Sequence, residues 1–202
     1  MIREMQIVLA SASDRRKELL LRLGIEFKVM ISDFDEESVN FDGDCSKYVQ
    51  KLATGKVLDI SNKLQDTSGN IIIGCDTIVS INDNVLLKPK NKKEAFLMLK
   101  SLSGKEHQVY SGITLLNTED KSLVSDFECT RVVFSKLTDE TINWYIETGE
   151  PMDKAGAYGI QGYAGAFVKE IHGCYYNVVG LPLNKLCFML RGMGVNLYKG
   201  AK

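Results

Sequence analysis

The stretch "IVLASASDRRKELL", residues 7–20, decides the fold class, because it begins as a strand and ends as a helix. The apolar run at residues 6–10 suits an extended chain. Residues 14–23 then place Leu19, Leu20 and Leu23 on one helical face before Gly24 stops the helix. A strand that feeds a helix through small residues points the helix's free N–H groups and the positive end of its dipole at one spot. Ser11 and Ser13 add hydroxyl donors there, and Arg15 and Arg16 add guanidinium groups that match phosphate oxygens in bidentate fashion. A phosphate is the natural guest. The simpler alternative makes Ser13 an ordinary N-cap, worth about 1 kcal/mol, and the arginines a solvated face. Asp14 sets a negative charge against a phosphate, although an acid in a first turn also suits the dipole.

Outward from this stretch, strand and helix signals alternate along the chain. Residues 27–31 read as a short strand leading into the acidic turn "SDFDEES", residues 32–38. Residues 46–64 read as a helix whose stripe is Val49, Leu52, Ala53, Val57, Ile60 and Leu64. Lys56 falls inside that stripe, which demands an explanation. "IIIGCDTIVSINDNVLL", residues 71–87, predicts two strands around an "NDN" turn. "NKKEAFLMLKSLSG", residues 91–104, predicts a helix opened by a capping box of Asn91 and Glu94. Strands follow at 108–116 and 123–134, and Thr138 caps a helix running to residue 147. The glycine-rich residues 156–165 precede a strand at 166–171, and a last helix follows Pro182. Hairpins join some strands and helices join others, so the expected fold is α/β with a mixed sheet.

Composition bounds what such a fold does. The 202 residues, 45% of them hydrophobic, suffice for one substantial core, organised as one domain or as two tightly joined lobes. With 25 basic and 26 acidic residues there is no global field to favour nucleic acid or an anionic membrane, so any anion site is local. The start lacks a basic-then-apolar leader, and no stretch approaches the roughly 20 apolar residues of a membrane span. The expected location is the cytoplasm. The five cysteines are far apart and form no C-x-x-C pair, which argues against zinc or a disulfide framework.

Several further groups carry chemistry. Asp76 sits between "III" and "IVSI", where burying a carboxylate costs several kcal/mol unless a cation or hydrogen bonds compensate. That makes it a candidate general base or metal ligand, the alternative being a strand break that faces water. Lys56 and Lys88 lie in apolar surroundings; one such lysine snorkels readily, but two beside paired arginines and an aspartate suggest an anion. Glu36, in the acidic turn, offers a second hard oxygen ligand for a divalent cation, or is a solvated acid. Gln161, among glycines 156, 159, 162 and 165, presents a donor and an acceptor to a flat ligand. These glycines do not form a dinucleotide fingerprint, and no P-loop is present.

The blocks "LASASDRRKELL" (9–20), "GCDTIV" (74–79), "LKPKNKKEAFLMLKSLSG" (87–104), "YIETGEPMDKAGAYGIQG" (145–162) and "YYNVVGLPL" (175–183) closely resemble, in order, those of the Maf proteins. These are nucleoside triphosphate pyrophosphatases once named for septum formation. The resemblance covers about the whole chain. It implies a single domain of inosine triphosphate pyrophosphatase-like fold, an elongated mixed sheet flanked by helices with two lobes around a central cleft, often homodimeric, and hydrolysis between the α- and β-phosphates with a divalent metal, magnesium or manganese. It further implies phosphate binding by Ser13, Arg15, Arg16, Lys56 and Lys88, and metal contacts from Glu36 and Asp76. By the same resemblance Asp76 is the proton acceptor, and the base is selected by Arg15, Thr77 and Gln161. "GCDT" and "GIQG" resemble the branch acting on dTTP and UTP.

One departure stands out: the family usually carries proline where Asp14 stands, so Asp14 is expected to weaken phosphate affinity or alter metal dependence. Two other readings remain at this point. One is a purine-directed housecleaning hydrolase, against which Thr77 and Gln161 argue. The other is a septation regulator that acts by binding a partner.

Overall fold

The computed structural model describes residues 5–65, 69–195 and 197. Its sheet is mixed and seven-stranded, in the hydrogen-bonded order β2-β1-β3-β5-β6-β7, with β4 added on β3. The strands are β1 (Gln6–Leu9), β2 (Phe27–Val29), β3 (Asn70–Ile81), β4 (Asn84–Leu86), β5 (Glu106–Asn117), β6 (Leu123–Phe134) and β7 (Val168–His172). The helices are α1 (Asp14–Arg22), α2 (Cys45–Lys63), α3 (Lys92–Leu102), α4 (Asp139–Glu147), α5 (Tyr175–Val179) and α6 (Leu183–Gly192). The α/β class and mixed sheet expected from the sequence are therefore present.

Contacts divide the chain into two compact units. The first comprises the residues up to Asp76, Ser111–Glu128 and those from Gly180 on; the second comprises Thr77–Tyr110 and Cys129–Val179. The long strands β3, β5 and β6 each contribute residues to both.

In the first unit β1 pairs in parallel with β2 and with β3, Ile7 lying opposite Phe27 on one side and Ile71 on the other. Parallel pairing buries both faces, which is why "IVL" and "III" are continuously apolar rather than alternating. Helix α2 packs on this sheet through Val57 and Ile60, against Val8, Ala10, Ile72 and Leu116. The approach is so close that side chains are excluded from the strands beneath. A Cβ on Gly74 would lie 2.4 Å from the Ala53 carbonyl oxygen, and one on Gly112 would lie 2.3 Å from that of Val49. Glycine is required at both positions because backbone meets backbone.

In the second unit β3 turns into β4 as a hairpin, with Val79 opposite Leu86, and β7 pairs antiparallel with β6. Helices α3 and α4 bury Ala95, Leu99, Leu102, Ile142, Tyr145 and Ile146 against Val109, Val132 and Phe134. His107 lies inside this core. Its Nε2 meets the Tyr158 hydroxyl at 2.9 Å, its ring packs edge-on to Phe134, and its Nδ1 has no partner among the described residues.

The structure corrects the sequence reading at the start of the last strand. Residues 166 and 167 do not begin the last strand: they end a 3₁₀ helix, Tyr163–Phe167, and β7 starts at Val168. Tight hydrogen bonds, Gly162 N–H to Gly159 and Gly165 N–H to Gly162, wind the glycine-rich stretch locally and bury Ala164 and Phe167. "YYNVV", rich in residues that favour strands, forms α5 instead. There the buried Asn177 donates from Nδ2 to the Val109 carbonyl and the Thr130 hydroxyl, both at 2.9 Å.

Burial pushes the His107 pKa down to about 4 from an ordinary 6.5. Between these values the unfolded chain binds the proton and the folded chain does not, so the associated stability is complete above pH 6.5 and is lost as pH falls through 4. The expected loss from this residue between pH 7 and pH 4.5 is about 2–3 kcal/mol. Urea unfolding of the natural chain and of His107→Phe at both pH values measures it: the natural chain loses more on acidification, by that amount.

Candidate active site

The turn between β1 and α1 brings the predicted anion groups to the start of α1. Ser13 stands at the N-cap, but its side chain makes no capping hydrogen bond, so its hydroxyl is not spent on the helix. Ser11, buried, accepts hydrogen bonds from the Ser13 N–H at 3.2 Å and from Arg16 Nη1 at 3.3 Å. Arg16 also donates from Nε to the carbonyl of Gly180 at 2.9 Å, and the buried Cys75 thiol reaches the same carbonyl at 3.3 Å. Arg16 is thus aimed by two fixed acceptors rather than splayed into water. Asp14, which the sequence sets against an anion, is 87% exposed and pairs with Lys17 at 2.9 Å, which holds its carboxyl below the usual range.

Asp76 lies within β3, which runs through "GCDT" without a break, and it is 8% exposed. The reading of this segment as a water-facing strand break is therefore set aside. Its compensating cation is Lys56, the lysine out of place in the apolar stripe of α2. Lys56 Nζ lies 2.5 Å from Asp76 Oδ1 and 2.8 Å from Glu36 Oε1. Burial lowers the pKa of the Lys56 ammonium, but the charge of Asp76 and then that of Glu36 outweigh burial and the nearby Arg16, leaving it above its ordinary value. Lys56 is a fixed positive charge.

Glu36 reaches this point because its turn is clasped to α2. Asp59 accepts from the Ser32 hydroxyl and from the Asp33 N–H, each at 2.8 Å, and Lys63 pairs with both Asp33 and Asp59. Phe34 then lies on Gly55, where a Cβ would come within 2.3 Å of its ring. The 3₁₀ turn that follows, Glu36–Ser38, carries the glutamate.

Arg16, Glu36, Lys56 and Asp76 are accordingly gathered in the first unit, with Ser13 linked to Arg16 through Ser11, while Arg15 lies in the first turn of α1. Tyr48, two turns before Lys56 on α2, was not singled out from the sequence. Its phenol is pushed up by burial and then by the charges of Asp76 and Glu36, so it faces the same carboxylates. Its spacing of eight from Lys56 was the available signal. In the second unit Thr77 directly follows Asp76 on β3, Lys88 is exposed after β4, and Gln161 is exposed in the glycine-rich segment.

Among the described residues no group of three or more His, Cys, Asp and Glu side chains gathers as a metal site. Glu36 and Asp76 nevertheless converge on one cation, and two carboxylates are the donor set with which magnesium is ordinarily held, its other positions going to water and phosphate oxygens. The residues present fit such an ion. No described helix is long and apolar enough to cross a membrane.

The sequence profile of the Maf-like protein family matches residues 6–193. The chain belongs to the Maf-like family. It is 58% identical over 191 residues to a dTTP/UTP pyrophosphatase of Clostridium botulinum (strain Kyoto / Type A2), covering 95% of this chain and 98% of that one. Proteins of the same name from Clostridium tetani (strain Massachusetts / E88) and Clostridium kluyveri are 57% and 59% identical over 193 residues, each covering 96% of this chain and 100% of the relative. Family membership thus matches the blocks quoted from the sequence.

Removing the shared cation tests the electrostatics directly. Lys56→Met leaves the Asp76 carboxylate buried without its partner and is expected to cost about 3–5 kcal/mol in urea unfolding at pH 7. Adding Asp76→Asn to that variant removes the uncompensated charge and is expected to restore most of the loss.

Proposed function

We propose that this chain is a nucleoside triphosphate pyrophosphatase that hydrolyses dTTP and UTP to the nucleoside monophosphate and pyrophosphate, a housecleaning role in the nucleotide pool. The observation that carries this reading is the buried Asp76 held against Lys56 and Glu36 beside Arg16, in a family whose near-full-length relatives bear that enzyme name. Enzyme location in the cytoplasm, a single catalytic domain and a homodimeric form belong to the same proposal, on the strength of the family resemblance.

In the proposed reaction the N–H groups of α1, Ser13, Arg15 and Arg16 receive phosphate oxygens, and the fixed anchors on Arg16 keep its guanidinium in place as charge develops. Asp76 accepts the proton of a water whose oxygen attacks the α-phosphorus. The bond from that phosphorus to the α–β bridging oxygen breaks, and its electron pair leaves with pyrophosphate. Lys56 offsets the leaving charge and holds the Asp76 carboxyl in place for the proton transfer. A divalent cation, magnesium or manganese, would be held by Glu36 and Asp76 and would supply charge neutralisation and water activation. Lys88 is proposed as a further phosphate contact, and Arg15, Thr77 and Gln161 as the groups that select the base.

Pyrophosphate release from dTTP, UTP, CTP, GTP and ITP, with magnesium or manganese, tests the reading. Release from dTTP and UTP is expected, with turnover falling about 10²–10⁴-fold in Asp76→Asn while nucleotide binding persists. Near-normal turnover in that variant rules out the proton-acceptor role.

A further inference from the structure

The second unit contains a polar clamp around the segment that carries Gln161. Tyr145, buried at the end of α4, donates its hydroxyl to Glu150 Oε1 at 2.8 Å and accepts the Gly159 N–H at 3.3 Å. The other carboxylate oxygen of Glu150, Oε2, accepts the Tyr163 N–H at 3.0 Å. The backbone is therefore gripped two residues before Gln161 and two residues after it. Between the grips the chain closes on itself, Gly162 N–H to the Gly159 carbonyl at 3.1 Å. The carboxylate lies so close over this turn that a Cβ on Gly162 would sit 2.3 Å from it. Glu150 is itself tied down, because Lys154 Nζ donates to its carbonyl at 2.7 Å. The Tyr163 ring meets Trp144 of α4 edge-on at 5.4 Å, a further pin on the same side.

Such a clamp has a chemical use. A glutamine amide offers a donor and an acceptor in either of its two orientations, so by type alone it suits a uracil edge and a cytosine edge equally. Discrimination then depends on where the amide is held, and a glycine-rich segment does not hold itself. We propose that Glu150 and Tyr145 are positioning residues for base selection: acting through the backbone at Gly159 and Tyr163, they set the place of Gln161 and so favour thymine and uracil over cytosine. This rests on the proposed pyrophosphatase reading, in which Gln161 faces the base.

The test is kcat and KM for dTTP, UTP and CTP in the full chain and in Tyr145→Phe, Glu150→Gln and Gln161→Ala. Tyr145→Phe keeps the buried ring and removes only the hydroxyl, so it serves if Glu150→Gln fails to fold. The expected result is that Tyr145→Phe and Glu150→Gln, like Gln161→Ala, each lower the preference for dTTP over CTP in kcat/KM by about tenfold. A uniform fall for all three nucleotides in Tyr145→Phe and Glu150→Gln, with the preference altered only in Gln161→Ala, overturns the positioning role and leaves the base-selection reading standing. An unchanged preference in Gln161→Ala overturns that reading, and the positioning role with it.

Discussion

The first unit depends on one buried cation. Lys56 emerges from an apolar helix stripe into a place with little water, where its charge is tolerable only because Asp76 and Glu36 meet it there. Lys56 and Asp76, both buried, would each be costly without the other, and Glu36 adds its charge from the more open side. Their meeting in turn requires α2 to lie directly on the strands, Phe34 to sit on Gly55, and Asp59 to hold the acidic turn. The packing of this region thus brings two carboxylates from distant parts of the chain onto one lysine.

Much of this was legible in the sequence, for a physical reason. Strand-to-helix transitions announce themselves by a change of period, so the elements from β1 to α4 fall close to where residue spacing places them. Lys56 was legible because it breaks a pattern: a charge inside an apolar stripe must be paid for by a partner. Asp76 was legible in the same way, as a carboxylate amid "III" and "IVSI". What periodicity does not carry is contact between residues distant in the chain. Nothing local in "SDFDEES" says that Asp59 will accept from two of its residues, nor that the Gly180 carbonyl will hold Arg16.

Two segments owe their conformation to contacts that local preference does not carry. Residues 163–167 and 175–179 contain aromatic, β-branched and small residues whose local preference leans toward strands or turns. Their conformation is decided elsewhere, by tight hydrogen bonds among glycines and by a buried asparagine bonded to β5 and β6. Tyr48 escaped notice for the opposite reason: it fits its helix well, and a tyrosine at an apolar position raises no conflict. Sequence reading finds groups that violate a pattern more readily than groups that satisfy it while also facing a site.

The glycines beneath α2 bear on how damage to this protein would be interpreted. Gly74 and Gly112 hold no charge and no side chain, yet each is filled to its limit by helix backbone. In a library of random variants scored only by survival or activity, both positions would stand beside Asp76 as intolerant. Scoring soluble yield as well would mark the glycine variants, which would vanish from the cell extract, as failures of packing.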